Sequence, residues 1–342
     1  MRCRALAAAA ILGATTILSS CQNGTSTAPS QPEPTSTPVS LAAGSQACVP
    51  KEHPAGKIIE IATVPAPWDV AVRDDGLTYF TEIFNNGVGI TNTATRTVTG
   101  FIPTGATPTG IAFSPDGLRA YTANQGDNTV SVIDVTSAQV IATLSTGGSS
   151  PFAVQVSPDG SLLYVGNNDN TLLVVDTQTL QITKTVFVGF ATNSFAVDPA
   201  GRMLYANHFF SGSVSEIDIF TGTVLRTFNL GGAVQGMALN KKGTHLFVAN
   251  EGGYLSEVVL STGQTNPNIP LAGVGFGVGV TPDDNEAWVT LPLNGKVQIF
   301  KLQSRQIKGT LNVGGEPRRV AFSQQGKIGA ITNMHGYITF VR

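Results

Sequence analysis

One phrase recurs seven times between residue 67 and the last residue, and it restricts the fold more than any other feature of this sequence. Its clearest copy reads Pro108-Thr-Gly-Ile-Ala-Phe-Ser-Pro-Asp-Gly117, followed by Ala120-Tyr-Thr-Ala-Asn124 and Thr129-Val-Ser-Val-Ile-Asp134. The residue that closes the first hairpin recurs at steps of 41, 43, 41, 42, 41 and 42 residues, at Gly76, Gly117, Gly160, Gly201, Gly243, Asp284 and Gly326. Short β-rich runs with turn signals at this period, and without a helical apolar period, predict one four-stranded propeller blade per repeat.

The two ends of the repeat region predict how the ring closes. Residues 327–342 supply two strands after the last hairpin signal but no outer strand, whereas residues 57–64 form an apolar strand ahead of the first repeat. An unpaired blade edge invites aggregation, so the simplest solution is that residues 57–64 complete the last blade. The sequence therefore predicts an all-β, seven-bladed β-propeller over residues 51–342, with the ring closed by strand 57–64 joining the C-terminal blade.

The first residues predict export and a lipid anchor. A positively charged start, Met1-Arg-Cys-Arg4, precedes an apolar stretch at 5–18 that is shorter than a membrane span. Leu18-Ser-Ser-Cys21 resembles the cleavage box of bacterial lipoproteins, which implies a signal peptide at 1–20 and acylation of Cys21, with palmitate among the attached chains. An ordinary signal peptide with an incidental cysteine is the alternative.

Residues 21–50 predict a tether between the anchor and the propeller. The segment is rich in Ser, Thr and Pro and has almost no bulky apolar residue, so it has too little to bury in a core. Gln22 stands where an inner-membrane retention signal has Asp, which favours an outer-membrane or cell-surface location, on the periplasmic or the outer side. Cys48 is predicted to be either a small packed residue or the site of an intermolecular disulfide.

Four repeats carry the motif of a known family. The motif stands at Tyr121-Thr-Ala-Asn124, Tyr164-Val-Gly-Asn167, Tyr205-Ala-Asn207 and Phe247-Val-Ala-Asn250. These phrases resemble the YVTN-repeat β-propellers of bacterial and archaeal surface and periplasmic proteins, and the resemblance covers residues 57–342. It implies a propeller that binds a ligand, a protein or a cell surface; one branch of that family binds single-stranded DNA.

A second resemblance is confined to one blade. Tyr79-Phe-Thr-Glu82, followed by Asn85-Asn86 and Val88-Gly-Ile-Thr91, is similar to the repeats of virginiamycin B lyase, which opens a lactone ring with a metal ion. That family repeats the phrase in most blades and has catalytic His and Glu residues in late blades. Here the phrase occurs once, and the late blades read Glu316-Pro-Arg-Arg-Val320 and Thr332-Asn-Met-His335.

We letter the four strands of a blade a to d in chain order. Ligands of propellers meet the face formed by the turns between strands b and c and by the loops between blades, and a possible polar site lies on that face. Since blades 7 and 1 become neighbours on closure, Arg318, Arg319 and His335 are expected beside Asp69 and Glu82. Two cations beside these groups could hold an anion or polarise a carbonyl, with His335, Glu82 and Asp69 as candidate catalytic residues. Solvated loop tips without a specific role are the alternative.

The same face collects aromatic residues in a chain that is only 7% aromatic. The candidates are Trp68, Phe84, Phe152, Phe209, Phe210, Tyr254 and Phe276, together with the adjacent His208. They predict either a contact surface for a protein, a glycan or a stacked base, or an inward-facing plug for the channel.

Two glutamates break the apolar pattern of strand c. Glu216 and Glu257 stand where other repeats have Val132, Val174 or Ile299. A carboxylate at such a position must be solvated, paired or bound to a metal. We expect simple exposure or a nearby Lys or Arg partner.

The remaining composition narrows the chemistry. The four histidines show no close metal-ligand spacing, and the sequence has no phosphate-binding loop. We therefore expect neither a metal nor a cofactor. A formal net charge of −2 with 12% charged residues gives no basis for broad electrostatic binding of nucleic acid. Binding of a single strand would require base stacking plus a local basic patch such as Arg318-Arg319.

Three functions remain. The first is a lipid-anchored, monomeric and non-catalytic propeller that binds a protein or polymer partner at the cell envelope. The second is an enzyme of the lactonase or lyase type. The third is a propeller that binds single-stranded nucleic acid or a small ligand.

Overall fold

The computed structural model of the protein describes residues 58–63, 66–147, 150–189 and 192–341. The predicted signal peptide, lipidated Cys21, tether and Cys48 lie outside the described residues. In the described part of the chain, no helix has the length and apolar character of a membrane span.

The described residues form seven antiparallel sheets. The strand that precedes the repeats is β1 (Ile58–Ala62). Blade 1 contains β2 (Pro67–Val72), β3 (Leu77–Glu82), β4 (Gly87–Asn92) and β5 (Thr97–Pro103). Blade 2 contains β6 (Pro108–Phe113), β7 (Arg119–Asn124), β8 (Thr129–Asp134) and β9 (Gln139–Ser145). Blade 3 contains β10 (Pro151–Val156), β11 (Leu162–Asn167), β12 (Thr171–Asp176) and β13 (Ile182–Phe187).

The other blades repeat this order with one variation. Blade 4 contains β14 (Phe195–Val197), β15 (Met203–His208), β16 (Ser213–Asp218) and β17 (Thr223–Asn229). In blade 5, β18 (Val234–Leu239), β19 (His245–Asn250) and β20 (Tyr254–Val259) precede an outer strand split into β21 (Gln264–Thr265) and β22 (Ile269–Pro270). Blade 6 contains β23 (Val278–Val280), β24 (Glu286–Leu291), β25 (Lys296–Lys301) and β26 (Gln306–Asn312), with a one-turn 3-10 helix at Pro292–Asn294. Blade 7 contains β27 (Pro317–Phe322), β28 (Gly329–Asn333) and β29 (Tyr337–Val341).

The innermost strands form a closed ring. β2 contacts β6, β6 contacts β10, and the contacts continue through β14, β18, β23 and β27 back to β2. Apolar clusters fill the spaces between sheets, and strands such as β12 are buried over Leu172–Val175 on both faces because a sheet lies on either side. The prediction of an all-β, seven-bladed propeller is confirmed.

β1 lies at the seam of the ring. It pairs antiparallel with β29, with Ile58 opposite Val341 and Ala62 opposite Tyr337. The order β1-β29-β28-β27 gives the last blade four strands, like its neighbours. How much this strand contributes to stability remains a prediction.

Tight turns fix one end of every blade. Gly117 closes the first hairpin of blade 2 at φ +70°, a left-handed conformation that glycine adopts without steric cost. Asp134 ends β8 and accepts the backbone N–H of Ser137 at 2.7 Å. Asp176 ends β12 and caps the equivalent turn in the same way. Glycine in one turn and aspartate in the other thus stabilise this end of the blades.

Candidate functional site

The opposite ends of the blades form what we call the top face. In each blade the inner strand starts beside the end of strand b, as Pro67 does opposite Glu82. Side chains join these ends from blade to blade: Thr332 Oγ1 donates to the carbonyl oxygen of Trp68 at 3.0 Å, and Thr290 Oγ1 to that of Arg318 at 2.8 Å. The b–c turns therefore surround the mouth of the central channel.

A β-bulge brings two consecutive residues of an inner strand to the mouth. The register of β2 against β3 shifts between Pro67 and Val70, and that of β27 against β28 shifts in the same way. Threonine side chains hold the bulge, since the backbone N–H groups of Asp69 and Arg319 each donate to a Thr Oγ1 at 3.0 Å. Bulges commonly redirect side chains beside binding sites, and here they present Trp68 with Asp69 and Arg318 with Arg319.

Blades 7 and 1 differ from the others at this bulge. The residues equivalent to Asp69 and Arg319 are small in the other five blades, namely Gly110, Ala153, Ser194, Gly236 and Gly277. A Cβ atom at Gly277 would lie 2.3 Å from the carbonyl oxygen of Arg318, and one at Gly236 would lie 2.6 Å from that of Phe276. Close packing of the inner strands thus requires glycine at positions 236 and 277. Blades 1 and 7 instead carry large charged side chains at the equivalent position, Asp69 and Arg319.

Four side chains from blades 6, 7 and 1 meet at the mouth, and we call them the mouth cluster: Trp68, Phe276, Arg318 and Arg319. The Arg318 Cζ atom lies 4.7 Å from the ring centroid of Phe276 and 5.7 Å from that of Trp68. Arg319 Cζ lies 5.5 Å from the Phe276 centroid. The two rings are 6.4 Å apart at an interplanar angle of 87°. Cation–π attraction therefore holds these groups together.

Carboxylates lie near these cations. Arg318 forms an ion pair with Glu316. Burial lowers the pKa of the Arg318 guanidinium, and the nearby Glu316 carboxylate opposes that shift. Burial raises the pKa of Asp69, whereas the positive charge of Arg319 acts in the opposite direction. Asp69 therefore lies within electrostatic range of Arg319, without an ion pair between them in the described part of the chain.

The structure does not connect the predicted catalytic groups with one another. Glu82 is 2% exposed and accepts a hydrogen bond from Asn85 Nδ2 at 2.9 Å; burial raises its pKa, which this bond opposes. His335 is exposed, and its backbone N–H donates to Asn333. Among the described residues, no hydrogen bond or ion pair joins His335 to Glu82 or Asp69.

Glu82 and His208 occupy a position that is structural in other blades. The last residue of strand b is asparagine in four blades, at Asn124, Asn167, Asn250 and Asn333. Asn333 donates from Nδ2 to the Gly314 carbonyl oxygen at 2.9 Å, so it ties its own turn to the preceding loop. At the same position, His208 Nε2 lies 2.7 Å from Ser215 Oγ. In blade 4 the asparagine of the motif, Asn207, therefore stands one residue before the end of strand b, and His208 occupies the last position.

Three turn tips expose large apolar side chains, and we call them the apolar tips. Phe84 is 73% exposed, Phe210 is 80% exposed and Leu293 is 76% exposed. Each stands two residues after the end of strand b, in blades 1, 4 and 6. The sequence motifs identified Phe84 and Phe210 but missed Leu293, whose signal is only its position in the repeat.

The other aromatic candidates are half-buried. Tyr254 donates from its hydroxyl to the Leu230 carbonyl oxygen at 3.2 Å. Phe209 packs edge-on against Phe210, with centroids 5.1 Å apart. Phe152 is partly buried in β10. Phe84 and Phe210 project outward, as expected for a contact surface. The remaining aromatic candidates lie against the protein.

Both strand c glutamates are buried, so simple exposure was wrong, and both have an arginine partner, the other expected alternative. Arg226 Nη2 donates to Glu216 at 3.0 Å, and Tyr205 donates its hydroxyl to the same carboxylate at 3.1 Å. Arg305 Nε donates to Glu257 at 2.8 Å. In the described part of the chain, no cluster of three or more His, Cys, Asp or Glu residues has a geometry suited to a metal ion.

Comparison with known proteins bears mainly on the fold. The family described as "Lactonase, 7-bladed beta-propeller" matches residues 89–228, which is less than half of the 342 residues. Among solved structures, the chain is similar to Kuenenia stuttgartiensis hydrazine synthase, with a TM-score of 0.73 and 19% identity over 81% of this chain and 96% of that chain. No curated protein matches the sequence. A structural likeness at this identity shows the propeller fold alone, and the resemblance to YVTN-repeat proteins remains a prediction.

Proposed function

We propose that this protein is a lipid-anchored, non-catalytic binding module of the cell envelope, which holds a protein or polymer partner on its top face. The observation that carries the proposal is the exposure of Phe84, Phe210 and Leu293 at equivalent positions of three turns. A protein partner suits these tips best, because burial of each side chain in an apolar pocket stabilises a complex by about 1.5–3 kcal/mol.

The equivalence of the three positions supports a shared role. Strands b and c pair in the same register in blades 1, 4 and 6, so the three tips occupy equivalent positions of their turns. Other tips carry small or polar residues, including Gly126, Asp169 and Gly252. A partner that spans the mouth can therefore contact all three apolar tips around a polar centre, which matches an interface of anchors within a polar surround.

The carboxylates of the expected catalytic group support binding rather than turnover. Asp69 accepts the backbone N–H groups of Val70 and Ile111, and Glu82 accepts a hydrogen bond from its own turn. A general base needs an oxygen that can reach the substrate proton. These oxygens instead join a bulge and a turn to the framework.

The route of the chain also supports a partner on the top face. β1 enters beside Val341, at the end of blade 7 away from the mouth, and runs toward the top. The first described strand therefore begins on the face opposite the b–c turns that we propose as the contact surface. The lipid anchor at Cys21 and the outer-membrane or cell-surface location are part of this proposal.

Cross-linking in intact cells that express the tagged protein tests the proposal. We expect a reproducible protein partner that is lost when Phe84, Phe210 and Leu293 are together replaced by Ser. A matched control replaces three partly exposed apolar residues on outer strands, Phe101, Ile141 and Val224, by Ser. Equal capture by both triple variants, or no partner with the unmodified protein, contradicts the proposal.

The family match favours one other candidate, hydrolysis of a lactone. It covers the region from β4 to β17, which holds neither the arginine pair nor His335. Under this alternative, Arg319 would polarise the carbonyl and His335 would act as the base. Turnover on a panel of lactones that falls at least about 100-fold in His335→Ala, with unchanged melting, would support it. An absence of turnover on that panel, or turnover unaffected by this substitution, would remove it.

A further inference from the structure

The mouth cluster forms a second site, which the proposed function does not use. Arg318 and Arg319 both lie over Phe276, at 4.7 and 5.5 Å from its centroid to Cζ. The positive charge of Arg319 helps to lower the pKa of Arg318, so the two like charges repel each other at this site. The pair therefore requires negative charge, and the source of that charge determines what the site can hold.

Two of the nearby acids already have partners. Glu316 forms the ion pair with Arg318. Glu251, in the turn of blade 5, accepts a hydrogen bond from Gln235 Nε2 at 2.6 Å. The ion pair with Glu316 and the charge of Glu251 both favour the charged form of Arg318. Arg319 must be considered separately.

The third acid, Asp69, is directed into the framework. One carboxylate oxygen accepts the N–H of Val70 at 2.9 Å, and the other accepts that of Ile111 at 3.2 Å. Asp69 therefore acts on Arg319 through its charge at longer range and not through an ion pair. In the described ranges of the chain, no carboxylate lies within 4.0 Å of the Arg319 guanidinium.

Hydrogen-bond donors are thus in excess at the mouth. The Arg319 side chain has no hydrogen-bond acceptor among the described residues, and the buried Nε of Arg318 also lacks one. A buried donor without an acceptor costs about 1–3 kcal/mol. The equivalent residue pairs of blades 2 to 6 contain no charged side chain, so this excess is specific to the seam of the ring.

We propose that the mouth cluster binds a small organic monocarboxylate that carries a flat ring. The carboxylate accepts hydrogen bonds from the planar fork of Arg319, which matches its two oxygens, and the ring lies against the indole of Trp68. Three carboxylates, Glu316, Glu251 and Asp69, already act against the two arginines, so the site offers unpaired hydrogen-bond donors rather than excess positive charge. It therefore suits a single negative charge better than a doubly charged phosphate. This site is separate from the apolar tips.

Titration of the purified protein with benzoate, benzamide and inorganic phosphate tests the proposal by calorimetry and Trp fluorescence. We expect saturable binding of benzoate, at least about tenfold weaker binding of benzamide, and the weakest binding of phosphate. Arg319→Gln should weaken benzoate binding about tenfold or more, equivalent to about 1.4 kcal/mol. Trp68→Phe should abolish the fluorescence response, because the other tryptophan, Trp288, is buried in β24.

Controls separate the result from misfolding and from the proposed function. Arg202→Gln, on a side chain that is 63% exposed away from the mouth, should leave benzoate binding unchanged. The triple Ser variant of the apolar tips should also bind benzoate normally, so either proposal can fail while the other stands. No saturation at about 10 mM benzoate, equal binding of benzamide, tighter binding of phosphate, or full binding by a folded Arg319→Gln protein overturns the assignment.

Discussion

The turns at the two faces of the ring differ in the side chains that they carry at their tips. On the lower face, the residue that closes the first hairpin has positive φ in all seven blades, from Gly76 at +87° to Asp284 at +58°. On the top face, the equivalent tips are Phe84, Gly126, Asp169, Phe210, Gly252, Leu293 and His335. Every top turn also contains one residue at positive φ, from Asn86 at +55° to Gly336 at +88°, so backbone geometry restricts both sets of turns. The two faces differ instead in the side chains at the tips, which on the top face vary widely in size and charge. Departures from the repeat therefore indicate where this fold carries its function.

Removal of the strand at the seam should have the largest effect on the framework. Deletion of residues 57–64 removes the five paired positions of β1 and exposes the edge of β29. At about 1 kcal/mol for each hydrogen bond, and about 2–4 °C for each kcal/mol, we expect melting to fall by about 10 °C or more. Deletion of residues 22–45 is the control and should change melting little. Equal melting temperatures for the two deletions would show that β1 does not close the ring.

Loss of a buried ion-pair partner should come next. Arg226→Ala leaves Glu216 buried with only Tyr205 as a partner. Breaking a buried pair costs about 3–5 kcal/mol, and the partial exposure of Arg226 reduces our expectation to about 2 kcal/mol in the free energy of unfolding. Denaturant titration measures this cost. The triple variant Arg226→Met, Glu216→Leu and Tyr205→Phe should recover most of it, because it also removes the Tyr205 hydroxyl that donates to Glu216. No recovery would mean that packing of the arginine stem matters more than charge.

A matched pair of substitutions compares the two faces directly. Gly117→Ala places a Cβ on a residue at φ +70° and should destabilise the fold by about 1–2 kcal/mol without affecting partner capture. Phe210→Ser removes an exposed side chain and should weaken capture while leaving stability within about 0.5 kcal/mol. Denaturation and capture assays on both variants test this expectation. Loss of capture in Gly117→Ala, together with normal capture by Phe210→Ser, would contradict it.

The smallest effect concerns acid stability of a lower turn. Hydrogen bonds from Ser157 and Ser161 lower the pKa of Asp159 from its ordinary 3.8 to about 2. Its contribution is therefore complete above pH 3.8 and is lost as the pH falls through about 2. Asp159→Asn should flatten the fall in denaturation midpoint between about pH 4 and pH 2. Identical pH profiles for the variant and the unmodified protein would exclude this contribution.

Local signals were sufficient to predict the framework. Repeat spacing predicted seven blades, and the strand expected at 57–64 is observed at Ile58–Ala62. The outer strand of blade 5 departs from the pattern, since it splits around Pro267 and ends at Pro270, and proline offers no N–H to a sheet. Repeat spacing does not reveal this interruption, because it depends on the positions of the prolines and not on the period of the repeat.

The candidate site was only partly predictable, because its contacts cross blades. Sequence position placed Arg318 and Arg319 beside Asp69, but stacking on Phe276 joins residues about 42 positions apart along the chain. From the sequence, Glu82 was a candidate catalytic residue. In the structure it is the last residue of strand b, a position that is asparagine in four other blades. Leu293 carried no motif and became visible only through its position equivalent to Phe84.

Hydrogen–deuterium exchange of the protein with its captured partner is the most direct test of the division between faces. We expect slower exchange in the top turns at 83–86, 209–212 and 292–295, and unchanged exchange in the lower turns at 114–117 and 157–160. Protection confined to the lower turns, or spread equally over both faces, would contradict the central claim that the variable top turns carry the binding function.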